Sequence, residues 1–199
     1  MSTLRIVGGR DASGRPTSVA FRDGRVVADV PSDHLDTETY DAAGAYVVPG
    51  LIDLQVNGAA GGDLTDEPER LWDVAAALAG FGVTAFVPTV ITSEADNRER
   101  ALAALRSGPP DGWQGATPLG LHFEGPMLAA ARKGAHPEHR LVAPSAELVA
   151  GWSREAGVLM ATIAPELPGA LEVIATLAQR GVIVSIGHTE ASTAQTLAA

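Results

Sequence analysis

Three short stretches carry side chains that can do chemistry, and each follows or forms part of an apolar run. Glu124 closes Gly120-Leu121-His122-Phe123-Glu124, and Gly125-Pro126 then breaks the chain. Asp53, Gln55 and Asn57 alternate along Asp53-Leu54-Gln55-Val56-Asn57-Gly58, so one side of a strand presents all three. His188 follows Ile186-Gly187 and precedes Thr189. Carboxylate and imidazole are ordinary ligands for a divalent cation, and a catalytic Zn²⁺ usually takes three protein ligands and keeps one position open. Glu124 and His188 would supply two of them. The third lies outside these residues or is one of the other histidines. Alone, Glu124 reads equally well as a turn carboxylate with no role; its place at a strand end, matched by His188 at another, favours a ligand.

The remaining candidates are weaker. His122 stands two residues before Glu124 and so shares its side of the strand, where a hydrogen-bonded core histidine is the simpler reading. His136, in Lys133-Gly134-Ala135-His136-Pro137, falls on a long loop and could touch a substrate or simply line the surface. Arg132 and Lys133 could pair with a phosphate, although adjacent basic loop residues usually face water. His34 and His139 read as solvated. Asp63 and Glu124 form a conceivable carboxylate pair for glycoside hydrolysis, which nothing in their spacing favours. There is no G-x-S-x-G, no phosphate-binding G-x-x-x-x-G-K-[ST], and no G-x-G-x-x-G after a strand.

Composition narrows the classes further. The 199 residues are 46% hydrophobic and 19% charged, an ordinary globular balance with enough apolar material for a core. A net charge of −10 argues against nucleic acid or an anionic membrane surface as partner. Without cysteine there are neither disulfides nor thiolate metal sites, so any metal is held by imidazole, carboxylate or water. Neither a signal peptide nor an apolar run long enough to span a membrane is visible, and the chain reads as cytoplasmic.

The elements that must position these groups fall into two parts. Residues 1–48 read as a small β-sandwich-like segment. Leu4–Val7 forms a strand broken by Gly8 and Gly9, and Asp23-Gly24 joins Ser18–Arg22 to Arg25–Val30 as a hairpin. A polar stretch over Pro31–Thr39 follows, then a strand over Ala45–Val48. Residues 49–199 alternate strand and helix. Strands are expected at Leu51–Val56, Val83–Val87 (ended by Pro88), Pro118–Phe123, Val158–Ile163 and Val182–Ile186. Helices are expected over Pro68–Gly80, with Leu71, Val74, Ala75 and Leu78 on one face, and from a Ser93/Asp96 capping box to Arg106. Others run from a Ser145 cap to Trp152, and from Pro168 to Gly181 with Leu171, Ile174, Ala175 and Ala178 inward. A last helix is capped by Thr189. About five consecutive βα units point to a parallel α/β sheet, here an incomplete (β/α)₈ TIM barrel, since eight units need roughly 250 residues. Two open sheet edges predict poor stability in isolation.

Four tokens taken together resemble a known family: Gln55-Val56-Asn57-Gly58, Leu121-His122-Phe123-Glu124-Gly125-Pro126, Lys133-Gly134-Ala135-His136 and Ile186-Gly187-His188-Thr189. With Val48-Pro49-Gly50-Leu51-Ile52-Asp53 they resemble the amidohydrolase superfamily and, within it, the N-terminal portion of the N-acetylglucosamine-6-phosphate deacetylases. The resemblance implies hydrolysis of the acetamide of an amino-sugar phosphate, giving glucosamine-6-phosphate and acetate, with one divalent metal ion, Zn²⁺, to activate water and polarise the carbonyl. It implies Glu124 and His188 as metal ligands, and Ala135 and His136 as substrate-binding residues. Gln55 and Asn57 would line the site where many relatives carry a His-x-His pair. It assigns no role to His122. A third ligand and the aspartate that serves as general base are expected beyond Ala199, so residues 1–199 are expected to be inactive alone, and the full-length protein to be a homo-oligomer, a dimer. The alternatives are another amidohydrolase acting on a cyclic amide or acylated amino sugar, or a non-catalytic fragment that only binds sugar phosphate or a partner chain.

Overall fold

The computed structural model describes residues 3–28 and 37–199. His34, the end of the expected Arg25–Val30 strand and most of the polar stretch after it lie outside the described residues. The chain divides into two compact units, Met1–Pro49 and Gly50–Ala199.

The first unit holds a four-stranded sheet in the order β3-β2-β1-β4, with β1 Thr3–Arg10, β2 Pro16–Arg22, β3 Arg25–Val27 and β4 Thr37–Asp41. The Asp23-Gly24 hairpin is present, and both residues have positive φ (50° and 74°), as a type I′ turn requires. Two expectations fail here. The glycines do not end β1: the strand runs on to Arg10 through an irregularity between Ile6 and Gly9, with Gly8 at φ 67°. Ala45–Val48 is not a strand, and only an isolated bridge joins Tyr46 to Arg10. The partner of β1 is instead β4, whose Thr37-Glu38-Thr39-Tyr40-Asp41 has too few apolar residues to register as a strand in the sequence.

The second unit is mixed α/β, built on a parallel half-barrel sheet. Its strands are β5 Leu51–Val56, β8 Val83–Ile91, β10 Leu121–Glu124, β11 Val158–Ile163 and β12 Ile183–Ile186, ordered β12-β11-β10-β8-β5. A short ribbon, β6 Gly58–Ala59 with β7 Gly62–Asp63, follows β5, and β9 Thr117–Pro118 pairs with β8. Helices α1 Leu71–Ala79, α2 Ala95–Ser107 and α3 Ala170–Gln179 connect the strands, and α4 Thr193–Ala198 follows β12. Neighbouring strands pair in parallel throughout, so the carboxyl ends of all five face one way.

Packing explains where the expected boundaries move. α1 buries Leu71, Val74, Ala75 and Leu78 as its periodicity demands. α3 buries Ala170, Val173, Ile174 and Leu177, one position earlier than expected, and leaves Leu171 exposed. Val173, Ile174 and Leu177 fill more volume than the alanines of the rejected face. β8 passes through Pro88, whose missing N–H is tolerated beside a register irregularity in the β5–β8 ladder. The Ser145–Trp152 segment stays a turn: Ser145 Oγ accepts from Leu148 N–H (3.3 Å), but so short a piece does not repay helix nucleation. The caps also shift. α2 starts after Glu94 with no side-chain cap, and α4 is capped by a Ser192–Gln195 capping box rather than by Thr189. The larger core cluster includes Phe123 and Trp152 (ring centroids 4.8 Å apart), with Leu121, Val158, Ile163, Val173 and Leu177. No helix of the described residues is long and apolar enough to cross a membrane.

Candidate metal and substrate site

Glu124 is the last residue of β10 and is buried, although charged. Immediately after it, Gly125 at φ 83° turns the chain away from the sheet, a conformation a Cβ would oppose. The register pairs Glu124 with Ile91 of β8 and Thr162 of β11, so the carboxylate stands at the common carboxyl edge. In a parallel α/β fold, ligands gather at that edge.

Three side chains converge on the carboxylate. Gln55 Nε2 donates to Oε2 (3.0 Å), His188 Nε2 lies 2.9 Å from Oε1, and His136 Nε2 lies 3.9 Å from Oε1. Glu124, His136 and His188 can bring one ligand atom each within 4.8 Å of one another. The Glu124 carboxyl is held well below the ordinary range, at about 2, by the His136 ring; burial opposes this and His188 adds to it. Of the two rings only His188 is within direct hydrogen-bonding distance.

The rings differ in which nitrogen is available, as their partners show. His188 Nδ1 faces the carbonyl oxygen of Arg132 at 2.8 Å, and a carbonyl only accepts, so Nδ1 carries a hydrogen. In the neutral ring Nε2 is then a lone pair, held 2.9 Å from carboxylate Oε1. Two acceptors at that distance require a cation between them, either a proton or a metal. Two ligand atoms on one tetrahedral Zn²⁺ lie about 3.3 Å apart, close to this spacing, so the donor set fits a divalent ion. His136 is committed the other way. The Thr92 backbone N–H, which only donates, points at His136 Nδ1 (3.3 Å), and the Thr92 hydroxyl lies 2.8 Å from the same nitrogen. Nδ1 is the acceptor, so Nε2 carries the hydrogen and faces the carboxylate as a donor.

The other sequence candidates separate cleanly. His122 lies under the site, buried between Thr89 Oγ1 (3.2 Å) and Thr162 Oγ1 (2.7 Å), with its pKa lowered by desolvation, as a hydrogen-bonded core histidine. Asn57 is exposed beyond the end of β5, and its carbonyl accepts from Leu64 N–H. Asp63 is exposed and accepts from the backbone of Thr65 (2.7 Å), which removes it as a partner for Glu124. Arg132 pairs with Glu190 at 3.3 Å, His139 is exposed, and Ala135 sits on the loop directly before His136. Two contributors escaped the sequence reading. Thr92, at the end of β8, fixes the His136 tautomer, and Glu166, after β11, binds the segment after His188. An apolar strand followed by a hydroxyl or carboxylate was the available signal for both.

A parallel α/β half-barrel that assembles a carboxylate, an imidazole and an amide from its strand ends, and a second imidazole from a loop, has the layout of a metal-dependent hydrolase. No family model matches the chain. The human N-acetylglucosamine-6-phosphate deacetylase is 37% identical over 164 residues, 77% of this chain and 39% of its own length. The crystal structure of the Pasteurella multocida deacetylase of that name matches 98% of the chain and 54% of its own, with a TM-score of 0.85 and 25% identity. A Mycobacterium smegmatis N-acetyl-D-glucosamine-6-phosphate deacetylase mutant, solved with N-acetyl-D-glucosamine-6-phosphate, matches the whole chain and 53% of its own, with a TM-score of 0.78 and 32% identity. The chain is thus homologous to a segment of the N-acetylglucosamine-6-phosphate deacetylases, which are amidohydrolase enzymes, and spans about half or less of the length of these relatives.

Proposed function

We propose that residues 1–199 carry the Glu124–His188 part of a single-metal site, together with a substrate-facing donor, for hydrolysis of the acetamide of N-acetylglucosamine-6-phosphate. The observation that supports this most is the opposite commitment of the two imidazoles around one carboxylate: His188 offers a lone pair, His136 a hydrogen. Glu124 and His188 would hold the ion, Zn²⁺ by the chemistry of an oxygen and nitrogen donor set. The ion supplies a Lewis acid and lowers the pKa of water. Gln55 fixes the rotamer of Glu124 by donating to Oε2, so the other oxygen stays aimed at His188. His136 Nε2–H is placed to donate to a substrate oxygen, and Thr92 keeps it in that tautomer. The fold is read as part of a (β/α)₈ barrel, and the third ligand and the general base are assigned outside residues 1–199.

The test is acetate release from N-acetylglucosamine-6-phosphate by the intact protein that carries this segment. Glu124→Gln and His188→Ala are each expected to slow it by at least about 100-fold, beyond the usual effect of an outer partner. Unchanged turnover in either variant contradicts the assignment, and so does enzyme-like turnover by residues 1–199 alone.

A further inference from the structure

We propose that Glu166 is a positioning residue for His188, acting through Thr189. The inference rests on reading His188 as a ligand. His188 has φ 51°, a left-handed conformation that a residue with a Cβ keeps only when its surroundings impose it. His188 is itself tied to the loop that follows β10. Ala129 N–H donates to His188 O (2.9 Å), and His188 Nδ1–H donates to Arg132 O (2.8 Å). These bonds hold the carbonyl and the ring of His188 but leave the backbone from Thr189 onward free to rotate. Glu166 closes that freedom.

Its carboxylate accepts twice from the next two residues. The Thr189 hydroxyl donates to Oε2, and the Glu190 N–H donates to Oε1 (2.7 Å). Because a carboxylate only accepts, the direction is fixed: the Thr189 hydroxyl gives its hydrogen to Glu166 and accepts from Ala191 N–H (2.8 Å). Glu166 itself is rooted between Pro165, which is buried, and the start of α3. The carboxylate therefore couples the end of β11 to the turn after β12, across one strand spacing, and holds the left-handed turn that aims His188 Nε2 at Glu124. Glu166 makes no bond to Glu124, Gln55 or His136, so its removal leaves the Gln55–Glu124 and Thr92–His136 bonds in place.

The experiment compares residues 1–199 with Glu166→Ala, Glu166→Gln, Thr189→Val and Thr189→Ser, using His188→Ala as the control. One readout is Zn²⁺ affinity by competition with a chromophoric chelator. The other is the ¹⁵N signature of the His188 imidazole in the metal-free protein. Glu166→Ala and Thr189→Val are expected to weaken Zn²⁺ binding about tenfold and to weaken the Nδ1–H signature. Glu166→Gln keeps an amide oxygen for the Thr189 hydroxyl but turns its NH₂ toward the Glu190 N–H, so a loss smaller than that of Glu166→Ala is expected. Thr189→Ser should restore both readouts. Wild-type affinity and an unmoved His188 signature in Glu166→Ala and Thr189→Val overturn the proposal, as does Thr189→Ser behaving like Thr189→Val. If Glu166→Ala fails to fold by circular dichroism, the Thr189 pair decides on the same criteria. If His188→Ala binds Zn²⁺ as the wild type does, the metal reading fails, while the metal-free imidazole signature still decides whether Glu166 positions the ring.

Discussion

Replacing Glu124 with glutamine should flatten the acid limb of stability by an amount the site geometry fixes. The Glu124 carboxyl falls from 4.5 to about 2 in the folded protein, with His136, then His188, favouring its charged form. A carboxyl depressed on folding stabilises the protein fully above its unfolded pKa, and that stability is lost as pH falls toward the folded pKa. The window is therefore about pH 4.5 down to about 2. Over the whole window the contribution is roughly 3 kcal/mol, at about 1.4 kcal/mol per unit. By pH 3 the unfolded state is almost fully protonated and the native carboxyl is only about a tenth protonated, so roughly 2 kcal/mol should already be gone. The assay is urea unfolding of metal-free protein at pH 5.5 and pH 3, in the presence of a chelator. Groups away from the site titrate alike in both proteins, so the difference between the two pH-dependent losses reports on Glu124 together with the two imidazoles it faces. The wild type should lose about 2 kcal/mol more than Glu124→Gln, a midpoint difference of roughly 1 M urea. Parallel losses in the two proteins would refute the claim that the imidazoles hold this carboxylate ionised.

Two further outcomes follow from packing. Gly125→Ala places a Cβ against Thr92 Oγ1 and 2.9 Å from Leu128 Cδ1, at a φ of 83°; it should cost about 1–3 kcal/mol by chemical denaturation and disturb the Thr92 bond to His136. Phe123→Ala removes a fully buried ring packed on Trp152 and should cost about 3–5 kcal/mol in the same measurement, enough to unfold a marginal half-barrel.

The parallel strands were legible as short apolar runs, and Leu51–Val56, exposed on the sheet edge, and Val158–Ile163, buried along most of its length, carry the same bounds in sequence and structure. The α1 face was legible because one register holds all its leucine and valine, whereas α3 offered two faces separated by a single position, and side-chain volume chose between them. β4 was hidden because its polar residues follow the backbone pairing of β1 rather than a hydrophobic pattern. Glu124 and His188 were legible as strand-end groups. That they meet depends on β10 and β12, with β11 between them, sharing the carboxyl edge of one parallel sheet, which an α/β order implies. The tautomers were not legible: they follow from Thr92 N–H and Arg132 O, backbone groups whose positions no residue type reveals. The same holds for Glu166, which is 22 residues before His188 and reaches its turn only because β11 and β12 are neighbours.

The most direct measurement is Zn²⁺ affinity of residues 1–199 in three forms: wild type, His188→Ala and His136→Ala. The opposed tautomers predict that His188→Ala loses far more than the roughly 10–100-fold expected of an outer partner, while His136→Ala stays within that range. Equal losses in the two variants, or a larger loss in His136→Ala, would contradict the division of the site into a ligand imidazole and a donor imidazole.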